Sequence, residues 1–437
     1  MTSVSELYAY YLAHPVVSTD TRYLPKNCLF FALKGANFDG NTFAAQALEQ
    51  GAAYVVIDNL DCQVSARCLL VPDVLQALQD LANHHRRQFD IPVIAIGGSN
   101  GKTTTKELVS SVLSAHYPCH STKGNLNNHI GVPLTLLSMP AGTEVAIIEM
   151  GTNQPGDIAE LCRIAQPTHG LLTNIGKEHL EGFGNLAGVK KAEGELFDYL
   201  AIHGGCALVN LSEKYLPKMA QKVPMRVGYH RVEPLLPEPG IIEVSMIAEA
   251  PFVQAAFLSD EGPRVAVTTQ LFGQHNFQNV MTAIALGIYF KVPASKIKTA
   301  LEEYQPSNNR SQLLHYQGAT ILLDAYNANP SSMEPALQSL CAMPAQKRIA
   351  ILGDMLELGE DSQKEHESIL RFAAKLKIDQ IILVGKEFGK TPYARVGALH
   401  FADNKAAKHW FDAQIFEDTA ILLKGSRGIR LEYILAS

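Results

Sequence analysis

The sequence "PVIAIGGSNGKTTTKE" at residues 92–107 decides how the centre of this 437-residue chain is expected to fold. An apolar run is followed by a glycine-rich turn and by Gly101-Lys102-Thr103, which predicts a strand, a loop and a helix over about 102–115. Glycines let backbone N–H groups converge on an anion at the start of a helix. The stretch therefore predicts a phosphate-binding loop, with Lys102 reaching the phosphates and Thr103 placed to ligate Mg²⁺.

This loop departs from the pattern G-x-x-x-x-G-K-[ST] at one position, because Ile96 stands where the first glycine belongs. Gly97, Gly98 and Gly101 still allow close approach of the backbone to a ligand. Since a strand precedes the loop and a helix follows it, a working nucleotide site is favoured over a chance Gly-Lys-Thr triplet. The predicted nucleotide-binding residues of the loop are Gly98, Ser99, Asn100, Gly101, Lys102, Thr103 and Thr104.

The composition indicates a large globular protein, with 47% hydrophobic and 18% charged residues. A net charge of -6 argues against nonspecific binding to nucleic acid. The seven cysteines include no C-x-x-C pair and are interpreted as reduced thiols. The N-terminus lacks a signal-peptide pattern, and no apolar stretch approaches the roughly 18 residues that span a membrane. We therefore expect a cytoplasmic protein without membrane insertion.

Three regions differ in their patterning, and the fold class is predicted to be α/β. Residues 1–80 mix short apolar runs with turns, whereas 81–305 and 306–437 alternate β-rich runs with helical patterns, as parallel β-α units do. The Pro-rich span at 232–257 is expected to form antiparallel hairpins inside the second region. The predicted strands after residue 90 are "PVIAIGG", "EVAIIEM", "HGLLTNI", "CALVNL", "ATILLDAY", "RIAILGD", "QIILVG", "ALHFAD" and "AILLKGS".

Polar side chains stand where several of these strands end. Glu149 closes "EVAIIEM" and His179 follows "GLLTNI", so both are expected at the sheet edge that carries the loop. Glu149 supplies the oxygen ligand that Mg²⁺ prefers, although a solvated strand-end glutamate is the alternative. Asp324, Asp354 and Lys424 end strands of the third region, where a turn-forming role is about equally consistent with the pattern.

The motifs together closely resemble those of the Mur ligases of peptidoglycan synthesis, in the family's order and over nearly the whole chain. The family's loop commonly lacks the first glycine, and Gly97 stands here where the family usually has Thr. The motifs are "STDTR", "LFFALKGANFDG", "GGSNGKTTTKE", "GNLNNHIGVPLTLL", "IIEMGTNQPGDI", "LLTNIGKEHLEGFG", "GQHNFQN", "LLDAYNANPSSM", "LGDMLELGE" and "LLKGSRG".

The resemblance implies an ATP-dependent amide ligase that uses Mg²⁺, acting through an acyl phosphate. The forms "GNLNNHIGVPLTLL" and "DAYNANPSSM" favour the type that joins D-Ala-D-Ala to UDP-MurNAc-tripeptide. The implied domains are a small α/β UDP-sugar-binding domain at 1–80, a central P-loop-type parallel-sheet ATPase domain at 81–305, and a C-terminal Rossmann-like domain at 306–437. The third domain would close on ATP and bind the dipeptide. We expect a monomer.

The resemblance also implies roles for individual residues. Lys102 and His179 would be catalytic, and Thr103, Glu149 and His179 would ligate or neighbour magnesium. Further nucleotide contacts are implied for Asn276, Asn279, Arg310, Asp324, Asn327 and Asn329. The UDP-sugar pocket would contain Ser18, Asp20, Arg22, Lys34, Asp39 and Gly40. The muramoyl-peptide would lie on Asn125, Asn127 and Asn128, which are equally well explained as turn formers. The peptide end or the dipeptide would face Asp354, Glu357, Lys424, Ser426 and Arg427.

One position departs from the family pattern A-K-x-x-[LI]-[FY], in which the lysine is carbamoylated and supplies a carboxylate to a second metal. In "KKAEGELF" that position is Glu193, and Lys190 and Lys191 lie at other positions of the predicted helix. We expect Glu193 to supply the carboxylate directly, as a catalytic and metal-ligating residue. The alternative is an ordinary exposed helical glutamate.

The same motifs are consistent with other functions. Within the enzymes, another Mur ligase or a folylpolyglutamate synthase-like ligase is the alternative, and outside them a nucleotide-binding relative without activity. The presence of Lys102, Glu149 and His179 argues against loss of activity. A P-loop motor is disfavoured because no apolar run ending in paired acids follows the loop. The third residue of the tripeptide, diaminopimelate or lysine, is not determined by the sequence.

Overall fold

The computed structural model describes residues 1–235, 240–248, 252–259, 262–306 and 309–436. These residues form a mixed α/β protein with a separate sheet in each of three successive regions, so the predicted fold class is confirmed. No helix in the described part of the chain is long and apolar enough to cross a membrane.

The first region contains a small parallel sheet with the strand order β1-β2-β5-β6, beside a two-residue hairpin of β3 and β4. Its apolar runs form strands that are buried on both faces, as parallel strands usually are. The elements are α1 (Val4–Ala13), β1 (Val17–Ser18), β2 (Leu29–Phe31), β3 (Lys34–Gly35), β4 (Phe38–Asp39), α2 (Ala44–Glu49), β5 (Tyr54–Ile57), β6 (Cys68–Leu70) and α3 (Val74–Arg86).

The second region is built on a larger sheet with the order β15-β14-β13-β12-β11-β10-β7-β9-β8, and its four predicted strands before residue 212 are confirmed. The elements are β7 (Val93–Gly97), α4 (Lys102–Ser114), β8 (Cys119–Ser121), α5 (Gly131–Leu137), β9 (Val145–Glu149), α6 (Asp157–Ala165), β10 (His169–Leu172), α7 (Leu180–Phe183), α8 (Leu186–His203), β11 (Cys206–Asn210), α9 (Leu216–Met219), β12 (Met225–Arg231), β13 (Ile241–Ala248), β14 (Gln254–Leu258), β15 (Arg264–Thr268), α10 (Gln274–Tyr289) and α11 (Ala294–Glu303).

The Pro-rich span only partly follows its prediction. Strands β13, β14 and β15 pair antiparallel, as expected of hairpins. Strand β12 instead pairs in parallel with both β11 and β13, so the span extends the parallel sheet before it turns antiparallel. Residues 236–239 and 249–251 of this span lie outside the described residues.

The third region carries a sheet with the order β16-β17-β21-β18-β19-β20, in which only the β16–β17 pair is antiparallel among the described pairings. Its five predicted strands are confirmed, and β16 is an additional strand that the sequence did not indicate. The elements are β16 (Gln312–Tyr316), β17 (Ala319–Asp324), α12 (Pro330–Ala342), β18 (Lys347–Gly353), α13 (Ser362–Ala373), β19 (Gln380–Val384), α14 (Lys386–Gly389), β20 (Leu399–Phe401), α15 (Asn404–Asp412) and β21 (Thr419–Lys424).

Helix α3 runs through residue 80, where the first domain boundary was predicted, and packs in a hydrophobic core shared with the second region. The boundaries at 80 and 305 remain predictions.

The third region rests on the second through polar contacts around β10. Lys177 Nζ lies 2.5 Å from Glu365 Oε1, and Asn329 Nδ2 donates to Asn100 Oδ1 at 2.9 Å. These contacts bring the carboxyl ends of strands from two sheets to one junction.

Candidate functional site

A cavity of about 1080 Å³ lies at this junction, among the carboxyl ends of β7, β9, β10 and β11 and the N-terminal ends of α4, α10 and α12. Its position outside the ends of parallel strands is where α/β proteins bind ligands. The predicted site residues on its wall are Ser99, Asn100, Gly101, Lys102, Thr103, Thr104, Asn125, Asn127, Asn128, Glu149, His179, Asn276, Asn279, Arg310, Asp324, Asn327, Asn329, Glu357, Lys424 and Arg427.

The loop between β7 and α4 has the backbone of an anion cradle. Gly98 and Gly101 adopt φ values of 109° and 81°, which residues with a side chain rarely adopt. A Cβ on Gly98 would collide with the Thr173 hydroxyl, and one on Gly101 would lie 2.6 Å from Asn279 Oδ1. Helix α4 begins directly after Gly101, so its first free N–H groups face the cavity.

Three buried carboxylates surround the Lys102 side chain. Glu149, Glu178 and Glu193 are each no more than 3% exposed, and each has one oxygen without a hydrogen-bond partner. The Lys102 Nζ atom donates to the carbonyl oxygen of Gly98 and lies 3.5 Å from Glu178 Oε2. Burial lowers the pKa of Lys102, but the negative charges of the three carboxylates outweigh this effect and raise the pKa overall. The ammonium is therefore held in its charged form.

The two oxygens of Glu149 have different surroundings. Oε1 accepts hydrogen bonds from Thr103 Oγ1 at 3.1 Å and from Asn127 Nδ2 at 2.7 Å. Oε2 is buried and has no partner. An open carboxylate oxygen beside a hydroxyl group suits a magnesium ion that takes its remaining ligands from phosphates and water. Among the described residues, no group of three or more His, Cys, Asp and Glu side chains is arranged to hold a metal ion.

Glu193 lies behind the loop, not on the cavity wall. It is fully buried on α8, and its Oε2 accepts a hydrogen bond from the Gly98 N–H at 2.8 Å. Burial raises the pKa of its carboxyl group, against the opposing charge of Lys102. The alternative of an ordinary exposed helical glutamate is thus wrong, because the Glu193 carboxylate is buried beside the loop. The expected catalytic and metal-ligating role of Glu193 stays a prediction.

The surroundings of Glu193 explain both departures from the family pattern. A Cβ at position 97 would lie 2.9 Å from Glu193 Oε2, so the carboxylate occupies space that a threonine there would fill. The neighbouring lysines do not take the place of the family's carbamoylated lysine, because Lys190 Nζ lies 3.5 Å from the centre of the Tyr215 ring and Lys191 is exposed. Gly97 and Glu193 are therefore matched to each other.

His179 connects the second and third regions across the cavity. Its Nδ1 lies 2.6 Å from Glu357 Oε2, and the hydrogen bond from His179 lowers the pKa of Glu357. Both residues have positive φ values, 42° and 64°, an unusual conformation that tends to occur at functional sites. The pair places Glu357 at the cavity, as expected from the resemblance.

On the third-region wall, cationic side chains face the cavity. Lys424 Nζ lies 2.6 Å from Asp324 Oδ2 and also donates to the Asn327 carbonyl oxygen. The guanidinium of Arg310 stacks 3.8 Å above the Tyr326 ring, with Arg427 on the same ring at 5.9 Å. Because Lys424 is paired with Asp324 and Arg427 with Glu432, their charges are partly balanced, and Arg310 adds positive charge to this wall.

Three of the asparagines predicted to bind ligands, Asn128, Asn276 and Asn279, form hydrogen bonds within the protein. Thr105 Oγ1 donates to Asn279 Oδ1 at 3.0 Å, and Asn279 Nδ2 donates to Asn276 Oδ1 at 3.0 Å, which links α10 to the loop helix. Asn128 Oδ1 accepts from the backbone N–H groups of Ile130 and Gly131, the turn-forming role that the sequence left open.

Eight predicted residues other than Gly98 and Glu193 lie away from the cavity wall. The Asp354 carboxylate accepts the backbone N–H groups of Glu387 and Phe388, so it caps α14, and Ser426 Oγ accepts from the Leu356 N–H. Both side chains hold loops in place and do not face the cavity. The six residues of the first region lie on or beside β1, β3 and β4: Ser18, Asp20, Arg22, Lys34, Asp39 and Gly40.

Sequence reasoning missed several residues of the wall, including Glu178, His275 and Tyr326. Glu178 directly precedes His179 after β10, so the rule that identified His179 applied to it equally. Burial lowers the pKa of His275 to about 4, which keeps its imidazole neutral. No feature of the sequence distinguished Tyr326 from a core aromatic residue.

The three-region α/β fold with this loop at its junction is shared with a family of ligases. The Mur ligase catalytic-domain model matches residues 15–86, the Mur ligase middle-domain model matches 96–287, and the glutamate ligase domain model matches 309–427. A UDP-N-acetylmuramoyl-tripeptide–D-alanyl-D-alanine ligase from Bacillus subtilis (strain 168) is 34% identical, over 96% of this chain and 92% of that protein.

Solved structures agree with this relationship. A crystal structure of MurF from Acinetobacter baumannii superposes with a TM-score of 0.84 at 29% identity, over 96% of this chain and 92% of that one. MurF ligase from Thermotoga maritima in complex with ADP gives a TM-score of 0.82 at 25% identity, over 97% of both chains. The chain belongs to the Mur ligase family, which confirms the resemblance found in the sequence.

The loop geometry predicts that Gly98→Ala weakens nucleotide binding by at least about tenfold, because the new methyl group collides with Thr173 and the φ of 109° is strained. Titration calorimetry with ADP measures the change. Gly142→Ala is the matched control, since its φ of 85° is equally unusual but no heavy atom lies within 4 Å of the added Cβ. Equal affinities for Gly98→Ala and wild type would contradict the role of the loop.

Proposed function

We propose that the chain joins D-alanyl-D-alanine to UDP-N-acetylmuramoyl-tripeptide with hydrolysis of ATP, in the synthesis of the peptidoglycan precursor. The observation that carries this proposal is the 34% identity to the Bacillus subtilis ligase over nearly the full length of both chains. The cavity supports it, because a phosphate-binding loop and a cationic wall face each other across one space. Since the substrate is a nucleotide-linked precursor, we place the reaction in the cytoplasm, and we propose a monomer.

The proposed reaction has two steps. An oxygen of the terminal carboxylate attacks the γ-phosphorus of ATP, and the bond to ADP breaks to leave an acyl phosphate. The free amine of the dipeptide then attacks the acyl carbon, a proton leaves the nitrogen, and inorganic phosphate departs. Negative charge develops first on the transferring phosphoryl group and then on the tetrahedral oxygen. Fixed cations near both positions are therefore what this chemistry requires.

The nucleotide would lie on the loop and across the junction. The backbone N–H groups at the start of α4, residues 101–104, would bind the phosphates, because the N–H groups of residues 98–100 already donate within the protein. Lys102 would supply a positive charge to the transferring group. The third region closes the other side of the nucleotide with Arg310, Asp324, Asn327 and Asn329. Asn276 and Asn279 lie between the loop helix and α10, so they position the loop as well as lining the nucleotide space.

The residues around Glu149 fit a magnesium ion that binds with the nucleotide. Thr103 and Glu149 would hold it, with His179 as a ligand or neighbour of a second ion. When bound, the metal neutralises phosphate charge during transfer. Glu193 contributes a fixed carboxylate behind the loop, which orients the Gly98 N–H through a direct hydrogen bond.

The peptide substrates would occupy the rest of the cavity. Asn125 and Asn127 line the cavity and would contact the muramoyl-peptide. The UDP-sugar is proposed to lie in the first region, on Ser18, Asp20, Arg22, Lys34, Asp39 and Gly40. Lys424 and Arg427 supply positive charge on the opposite wall for the carboxylate of the dipeptide. Asp354 and Ser426 act indirectly by fixing the loops that carry this wall.

The function predicts which acceptor supports phosphate release. With ATP and UDP-MurNAc-tripeptide, D-Ala-D-Ala should support release, whereas D-Ala, D-Glu and L-Lys should not. Phosphate release is followed in a coupled assay, and mass spectrometry identifies the pentapeptide product. Activity with a single amino acid and none with the dipeptide would overturn the assignment in favour of another ligase of this family.

A built-in carboxylate at position 193 predicts turnover that is independent of CO₂. Bicarbonate should neither stimulate wild-type turnover nor restore the activity lost in Glu193→Ala, because no lysine is available there for carbamoylation. Rates are measured in decarbonated buffer with and without added bicarbonate. A clear requirement for bicarbonate, or full activity of Glu193→Ala, would contradict a role for this carboxylate.

A further inference from the structure

Glu178 is a buried acid at the centre of the junction whose side chain the proposed reaction does not use. It is 3% exposed, lies on the cavity wall, and follows β10 between Lys177 and His179. Its neighbours in the chain point outward, Lys177 to Glu365 and His179 to Glu357 of the third region. Glu178 alone of the three points inward, to Lys102. Its position is therefore fixed from both sides.

The ammonium group of Lys102 lies near the side chains of three acids, Glu149, Glu178 and Glu193. The Lys102 side chain is only 14% exposed, so solvent screens its attraction to a nearby acid weakly. Among the described residues, Lys102 forms an ion pair within 4.0 Å only with Glu178. Its remaining contacts are to the carbonyl oxygens of Gly98 and Ser99. The amine is thus folded back against its own loop.

The consequence appears at Glu149, the acid at the end of β9 whose Oε1 accepts a hydrogen bond from Thr103 of the loop helix. Its Oε2 is buried without a hydrogen-bond partner, although a lysine is close enough for the charge of Glu149 to raise the pKa of Lys102. If Lys102 were paired to this oxygen, the lysine would be drawn from the phosphates and the oxygen would be closed to a cation. Both functions require that the two groups stay apart.

We propose that Glu178 is a positioning residue that holds Lys102 away from Glu149 and so keeps the Glu149 Oε2 open for the cation that accompanies the nucleotide. The inference rests on the proposed nucleotide site and goes beyond it, because it assigns Glu178 to cation-dependent nucleotide binding. Removal of the Glu178 charge should let Lys102 pair with Glu149. Binding of a metal–nucleotide complex then weakens, whereas binding of the metal-free nucleotide does not, since an anion gains from the loss of a nearby negative charge.

The test compares ADP binding with and without Mn²⁺ by titration calorimetry in wild type and Glu178→Gln, which keeps the size of the side chain. We expect Glu178→Gln to weaken Mn²⁺–ADP binding by about fivefold or more and to leave metal-free ADP binding equal or tighter. Glu178→Asp, which keeps the charge on a shorter side chain, should restore part of the preference for the metal complex. Glu181→Gln is the matched control, because Glu181 is exposed and near in sequence.

The outcomes separate this inference from the proposed function. Equal weakening of both complexes in Glu178→Gln would indicate a merely structural role and would overturn the inference. An unchanged ratio of the two affinities would overturn it as well. Absence of ADP binding to the wild type would instead overturn the nucleotide site itself. Thermal melting shows whether each variant folds. If Glu178→Gln does not fold, Glu178→Asp, in which the ion pair to Lys102 is longer, becomes the test. A preference of Glu178→Asp for Mn²⁺–ADP over metal-free ADP that equals that of the wild type would then contradict the inference.

Discussion

The organisation of the site depends on one electrostatic constraint, the placement of three buried acidic side chains around the largely buried ammonium group of Lys102. Glu149 and Glu178 by themselves bring more negative charge to the pocket than Lys102 can balance, while burial raises the pKa of Glu193 and favours its neutral form. Each of the three keeps one oxygen without a partner. Unpaired buried charge is costly, so the arrangement persists only where a ligand completes it or the fold holds it in place. The close packing of β7, β10 and α8 around the loop holds these groups in position.

The same constraint connects the loop to its departures from the family pattern. Glu193 reaches the Gly98 N–H from behind the loop, and it can do so because position 97 lacks a Cβ. A short carboxylate with a direct hydrogen bond thus stands where a longer, modified lysine occurs in other members. The loss of a glycine at Ile96 has no such consequence, because that residue is buried within β7 and precedes the cradle.

Much of this architecture was predictable, because buried parallel strands form apolar runs and their carboxyl ends share one sheet edge. That rule located Glu149 and His179 and applied to Glu178 as well. It failed at Asp354, since a strand-end acid that caps a helix has the same local sequence as one that faces a ligand. Strand β16 was missed because its residues are half-exposed at a sheet edge and carry no clear alternation. Contacts between segments that are distant in the chain, such as that of Gly97 with Glu193, cannot be recognised from the local sequence around either residue.

The central claim, carboxylate activation by ATP in this cavity, is tested most directly by isotope transfer. UDP-MurNAc-tripeptide labelled with ¹⁸O in its terminal carboxylate is turned over with ATP and D-Ala-D-Ala, and the phosphate released is analysed by mass spectrometry. An acyl phosphate requires that one labelled oxygen pass from the carboxylate to inorganic phosphate. Unlabelled phosphate, or the label in AMP, would contradict the account.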